Sequence, residues 1–160
     1  MRLHIRPMSA KDRAAVERIL KATPEFKPAE VVVAEEVLDA YLAESHESGY
    51  HVMVAEADSS VVGYVCYGPA PLTEGTWDIY WLAIAPKEQG QGIGSALLDC
   101  AEESARALGG RLALIETSSK PEYERTRRFH SSRGYEVVCR IADFYAPSDD
   151  KLVFQKRLRG

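Results

Sequence analysis

Three glycines at alternate positions, Gly90, Gly92 and Gly94, join a strand-like apolar run to a helix-like one. Glycine at such a place lets the backbone approach a ligand closely and turn several N–H groups toward one point. A helix starting there adds its unpaired first-turn donors and the positive end of its dipole. The segment therefore reads as a socket for a phosphate-bearing cofactor, with Gln89, Gly90, Gln91, Gly92, Ile93, Gly94 and Ser95 as the backbone donors. Two common nucleotide fingerprints do not fit it. A Rossmann G-x-G-x-x-G counted from Gly92 needs glycine where Leu97 stands, and a Walker loop needs a Gly-Lys pair that the chain lacks. Kinase glycine loops lie in a hairpin, whereas this one opens a helix.

The elements around the loop follow from pattern. Leu3 and Ile5 alternate with polar neighbours as a short strand, and Ser9 with Asp12 three residues on starts a helix carrying Ala14, Val16, Ile19 and Leu20. A second helix is expected over residues 28–45, its buried face being Val32, Val33, Val37, Leu38, Tyr41 and Leu42. Residues 51–56 and 61–67 then alternate with period two, and Ala57-Asp58-Ser59-Ser60 supplies a hairpin turn between them. Residues 76–85 form a third strand, followed by the glycine loop and a helix over 92–108 that Gly109-Gly110 closes. A strand at 111–116, a helix at 121–133 and strands at 135–141 and 151–156 complete the order β-α-α-β-β-β-α-β-α-β-β. This is an α/β (α+β) chain: one domain over 1–160, with a mixed central sheet flanked by helices.

Bulk properties narrow the partners. At 46% hydrophobic and 28% charged residues the chain is of ordinary globular composition. A net charge of −4 speaks against nucleic acid as a partner, and no apolar run is long enough to span a membrane. Cys66, Cys100 and Cys139 are too few and too scattered for a disulfide framework or a zinc site. No metal and a reducing, cytoplasmic location are expected.

Gln89-Gly90-Gln91-Gly92-Ile93-Gly94 resembles the [RQ]-x-x-G-x-[GA] acetyl-CoA signature of the GCN5-related N-acetyltransferase (GNAT) family, placed, as there, between an apolar-x-Pro step (Ile84-Ala85-Pro86) and an amphipathic helix. Phe129-His130-Ser131-Ser132-Arg133-Gly134-Tyr135 is similar to the family's second motif, F-Y-x-x-x-G-F, and the likeness in element order covers nearly the whole chain. The resemblance implies acetyl-CoA as the donor and direct attack of a primary amine on its thioester in a ternary complex. It also implies that the strand edge Leu82-Ala83-Ile84 pairs with the pantetheine arm.

Catalytic roles follow from the same likeness. His130 stands where the family commonly has the tyrosine that protonates the departing thiolate. An unperturbed imidazolium, near pKa 6.5, is a readier acid than tyrosine near 10. A surface or half-buried replacement with no catalytic part is the plain alternative. For the base that leaves the amine neutral, Asp78 is the first candidate. Strict alternation puts it on one face with Tyr80, Leu82 and Ile84, and it aligns with a glutamate of the family's histone-acetyltransferase branch. Glu116 on the next strand is the second candidate, and either carboxylate could instead bind the substrate's positive charge. Of the aromatics, Trp77, Tyr80 and Trp81 are expected in the core, while Phe144 and Tyr145 lie where the family often builds an acceptor pocket. Arg125, Arg127, Arg128 and Arg133 crowd one helix, one of them within reach of a phosphate.

The expected activity is acetyl transfer to a primary amine of a small molecule, peptide or protein. A non-catalytic acyl-CoA-binding or regulatory domain is the rival reading, and a purely structural module leaves the glycine loop unexplained. Dimerisation, common in the family, is left open.

Overall fold

A computed structural model describes residues 2–159. Its elements run β1 (Leu3–Pro7), α1 (Arg13–Ala22), α2 (Pro28–Ala43), β2 (His51–Ala57), β3 (Ser60–Pro69), β4 (Thr76–Ile84), α3 (Ile93–Ala107), β5 (Leu112–Ser118), α4 (Glu124–Ser132), β6 (Glu136–Ala146) and β7 (Asp149–Arg157). The strands form one seven-stranded sheet in the order β1-β2-β3-β4-β5-β7-β6. Only β4 and β5 pair in parallel; every other neighbour is antiparallel. The chain order matches the sequence expectation, with most boundaries moved by a residue or two.

Each face of the sheet carries its own core. On one side α1 and α2 bury Val16, Ile19, Leu20, Val31, Ala34 and Leu38 against Val52, Val54, Tyr64, Cys66 and Ala83. On the other, α3 lays down Ile93, Leu97, Leu98, Ala101 and Ala105, a helical stripe against Val65, Tyr67, Trp77, Ile115 and Phe154. Full burial of a side chain such as Leu97 stabilises the fold by about 1.5–3 kcal/mol. The start of α1 is held as the spacing predicts. The Asp12 carboxylate accepts the Ser9 N–H at 2.8 Å and a forked pair of bonds from Arg6 at 2.7 and 2.9 Å.

Three expectations need correction. In α2 the buried stripe is Val31, Ala34 and Leu38, while Val32 and Val33 are exposed; the unbroken run Val31-Val32-Val33-Ala34 leaves the helix phase ambiguous in the sequence. Ala14 is likewise exposed on α1. The last hairpin is longer than expected, because Asp143 and Asp150 replace ladder bonds. The Asp150 carboxylate accepts the Asp143 N–H at 2.9 Å, and the Asp143 carboxylate accepts the Ser148 N–H at 2.7 Å. The β2–β3 turn is as expected, with Asp58 and Ser59 both left-handed at φ 49° and 68°.

One irregularity positions the site. Cys66 pairs with Trp81 but Tyr67 pairs with Ile79, so Tyr80 is an extra residue bulged out of β4. Trp77 and Ile79 face the α3 side before the bulge, and Leu82 and Ile84 face it afterwards.

Candidate active site

Beyond the bulge β4 leaves its parallel neighbour. Thr76, Trp77, Asp78 and Ile79 pair with Leu112, Ala113, Leu114 and Ile115, and there the pairing stops. From Glu116 onward β5 pairs with β7 alone, so residues 80–84 turn one unpaired backbone edge into a gap. The gap is part of a cavity of about 930 Å³, lined by β4 from Ile79 to Ile84, by the glycine loop, by β5 and α4, and by the α1–α2 connection. That volume lies within the range of small-molecule and cofactor sites.

At its far end the chain turns into α3. Gly90 and Gly92 both have φ +81°, a conformation that costs an L side chain about 1–2 kcal/mol, and a Cβ on either would meet nothing within 4 Å. The first bond of the helix runs from Ala96 N–H to Gly92 O, so the N–H groups of Ile93, Gly94 and Ser95 lie outside the helical ladder. Open space above left-handed glycines, free amide donors and an unpaired strand edge fit coenzyme A, whose phosphates need donors and whose pantetheine arm carries amides.

The structure brings some of the sequence candidates together here and separates others. Leu82, Ala83, Ile84, Gln89, Gly90, Gly92, Ile93, Gly94 and Ser95 line the cavity, and Gln91 stands in the loop beside them, its amide donating to Glu88 at 3.2 Å. Glu116 lines it too, half exposed and paired with Lys151 at 2.9 Å. Asp78 does not. The bulge at Tyr80 breaks the assumed alternation, so Asp78 lies on the opposite face from Leu82 and Ile84, and its neighbours are Tyr80, Glu116 and Lys151. Burial, then repulsion from Glu116, raises its carboxyl above the ordinary range.

His130 lines the cavity from α4 and is 4% exposed, packed against Phe154, Tyr135 and Phe129. Burial lowers its pKa to about 4, and its Nδ1 has no hydrogen-bond partner. The comparison of free imidazolium with free tyrosine therefore does not carry over. At neutral pH this ring is uncharged: it can donate or accept a hydrogen bond but holds no spare proton.

Sequence reasoning missed Glu30 and set Tyr123 aside because it is out of register with the family tyrosine. Glu30, in the first turn of α2, is half-buried in the cavity wall, and burial raises its carboxyl. Among the described residues no lysine or arginine forms an ion pair with it. Nothing in its local sequence distinguishes it, because its exposure to the gap depends on how α2 docks. The Tyr123 hydroxyl donates to Glu25 O at 2.8 Å, tying two walls of the cavity that lie far apart in the chain. Tyr145 also lines the cavity, its hydroxyl pushed up to about 12 by burial and then by Glu116, whereas Phe144 stacks beneath Lys151 at 4.5 Å. Trp77 is in the core as expected, Trp81 is partly buried, and Tyr80 is exposed in its bulge.

The profile of the acetyltransferase (GNAT) family matches residues 14–135. A crystal structure described as an acetyltransferase of that family, from Desulfovibrio desulfuricans, superposes with a TM-score of 0.95 at 38% identity, over 98% of this chain and 99% of that one. The chain belongs to the GNAT acetyltransferase family. The fold also matches the PaiA N-acetyltransferase of Thermoplasma acidophilum, solved with coenzyme A, with a TM-score of 0.77 at 16% identity over 98% of this chain and 99% of that one. The ribosomal-protein-S18-alanine N-acetyltransferase of Escherichia coli matches with a TM-score of 0.79 at 14% identity over 99% of this chain and 96% of that one. No curated protein sequence matches the chain. Among the described residues no helix is long and apolar enough to cross a membrane, and no cluster of metal-ligating side chains occurs.

Proposed function

We propose that the protein is an N-acetyltransferase that uses acetyl-CoA to acetylate a primary amine of a small molecule, peptide or protein. The observation that carries this reading is the gap between β4 and β5, which opens at the Tyr80 bulge and runs to the glycine loop at the start of α3. When bound, acetyl-CoA supplies an activated acetyl thioester. The N–H groups of residues 89–95 hold its phosphates, and the free edge of Leu82, Ala83 and Ile84 hydrogen-bonds its pantetheine amides.

The acceptor end must bind an ammonium ion and remove a proton from it. Glu30 is the group best suited, being a half-buried carboxylate with a raised pKa and, among the described residues, no ion-pair partner. Glu116 takes part of the cation's field from the β5 wall, shared with Lys151. Asp78 lies outside the cavity lining and acts on the site through Glu116 and Tyr80, which do line it. The neutral His130 ring at the cavity wall would offer a hydrogen bond to the bound group, and its aromatic neighbours would help to exclude water.

Incubation with acetyl-CoA and a panel of primary amines, followed by free thiol, tests the reading. Amine-dependent thiol release is expected. Tight coenzyme A binding with no release for any amine would instead favour the non-catalytic acyl-CoA-binding domain.

A further inference from the structure

The glycine loop brings no positive charge of its own to the phosphates. Between residues 88 and 95 the single charged side chain is Glu88, whose carboxylate accepts from Gln91. A diphosphate there would meet backbone N–H groups, a helix dipole and an anion, so a nearby cation is needed to balance its charge.

The four arginines of the α4 region can be told apart by their partners. Arg127 donates to the carbonyls of Ser118 and Lys120, both at 2.8 Å, and holds the end of β5. Arg133 pairs with Asp99 at 2.6 Å, and Arg128 approaches Glu124 at 4.0 Å. Arg125 instead donates one Nη1–H to the amide oxygen of Gln89 at 3.1 Å. The other face of that amide donates weakly to Ile84 O at 3.5 Å, which turns its oxygen toward Arg125. An amide oxygen is a neutral partner, so the guanidinium keeps its full charge, with the rest of its N–H fork available at the cavity wall beside the loop.

We infer that Arg125 is a diphosphate-binding residue for acetyl-CoA, delivering from α4 the cation that the loop lacks, with Gln89 as the positioning residue that aims it. The inference rests on the cofactor reading above. It also explains why a neutral residue suits position 89: an arginine there would stand against Arg125 at hydrogen-bonding distance, and two cations would repel.

Titration calorimetry with coenzyme A, 3′-dephospho-coenzyme A and pantetheine tests it without relying on turnover. In Arg125→Ala, binding of coenzyme A and of the 3′-dephospho form should weaken alike, by about tenfold or more, and pantetheine binding should stay as in the parent protein. Adding Gln89→Arg to Arg125→Ala should recover most of that loss, whereas Gln89→Arg alone should gain less than it gains in the double variant. Unchanged coenzyme A affinity in Arg125→Ala overturns the inference. So does a loss that disappears with the 3′-dephospho form, which would put Arg125 on the ribose phosphate, and so does failure of Gln89→Arg to rescue. A parent protein that binds no coenzyme A defeats the functional reading itself, before any variant is compared.

Discussion

The two ends of the cavity are built in different ways. The glycine-loop end is made of main chain: a continuous run of N–H groups, two left-handed glycines and a free strand edge. The opposite end is made of side chains delivered from separate places, Glu30 from α2, Glu116 from β5, Tyr123 from the turn before α4 and Tyr145 from β6. A backbone site depends on local conformation, so it tolerates change in most side chains but not in its glycines. A side-chain site depends on how several elements dock, and it can be rebuilt one residue at a time. The shared donor and the variable acceptor of a transferase need these two kinds of construction.

The difference can be broken at the backbone end with one substitution. Gly92→Val places a β-branched side chain at φ +81° and fills the space above the loop, so coenzyme A affinity should fall about a hundredfold or more in calorimetry. The melting temperature should move by only a few degrees, because no neighbouring atom lies within 4 Å of the new Cβ. At the side-chain end Glu30→Gln should do the reverse, lowering kcat by about a hundredfold with coenzyme A affinity intact. The parent rate should rise with pH as the Glu30 carboxyl ionises above its usual range, and the variant should lose that acid-side limb. A retained limb would remove Glu30 from proton transfer.

How much of this was legible in the sequence follows the same division. Gly90 and Gly92 announce their conformations by residue type, and the α3 stripe from Ile93 to Ala105 announces its helix. Glu30 carries no such mark. Asp78 was misplaced for a definite reason: period-two counting assumes an unbroken ladder, and the Tyr80 bulge is visible only in the pairing of β3 with β4. His130 was found from its motif, but its charge state was not, because burial by Phe154, Tyr135 and Phe129 is a tertiary fact.

Two smaller effects sharpen the boundary between the ends. His130 has a pKa lowered to about 4 in the fold, against about 6.5 when exposed, so the unfolded chain binds the extra proton first as pH falls. Its contribution to stability is complete above pH 6.5 and is lost on going down toward pH 4, a change of up to about 3 kcal/mol. Chemical denaturation of His130→Phe at pH 7 and pH 4.5 should show a smaller pH difference than the parent. The smallest effect is expected for Asp78→Asn. Since this side chain lies across the sheet from Leu82 and Ile84, the acid-side limb of the rate profile should keep its slope and shift by a few tenths of a pH unit at most. Loss of the limb would restore Asp78 as the base.

The extra residue at position 80 has an evolutionary corollary. Deleting Tyr80 would let β4 pair with β3 without interruption and would leave Trp81, Leu82, Ala83 and Ile84 on their present faces, but it would remove the bulge at which β4 parts from β5. Both cores would keep their side chains, while the gap between β4 and β5 would lose the irregularity that opens it. Homologous chains should therefore vary freely in which residue occupies this position, yet rarely in whether a residue occupies it. Insertions and deletions in β4 should be scarcer than substitutions, a pattern that an alignment of relatives would reveal.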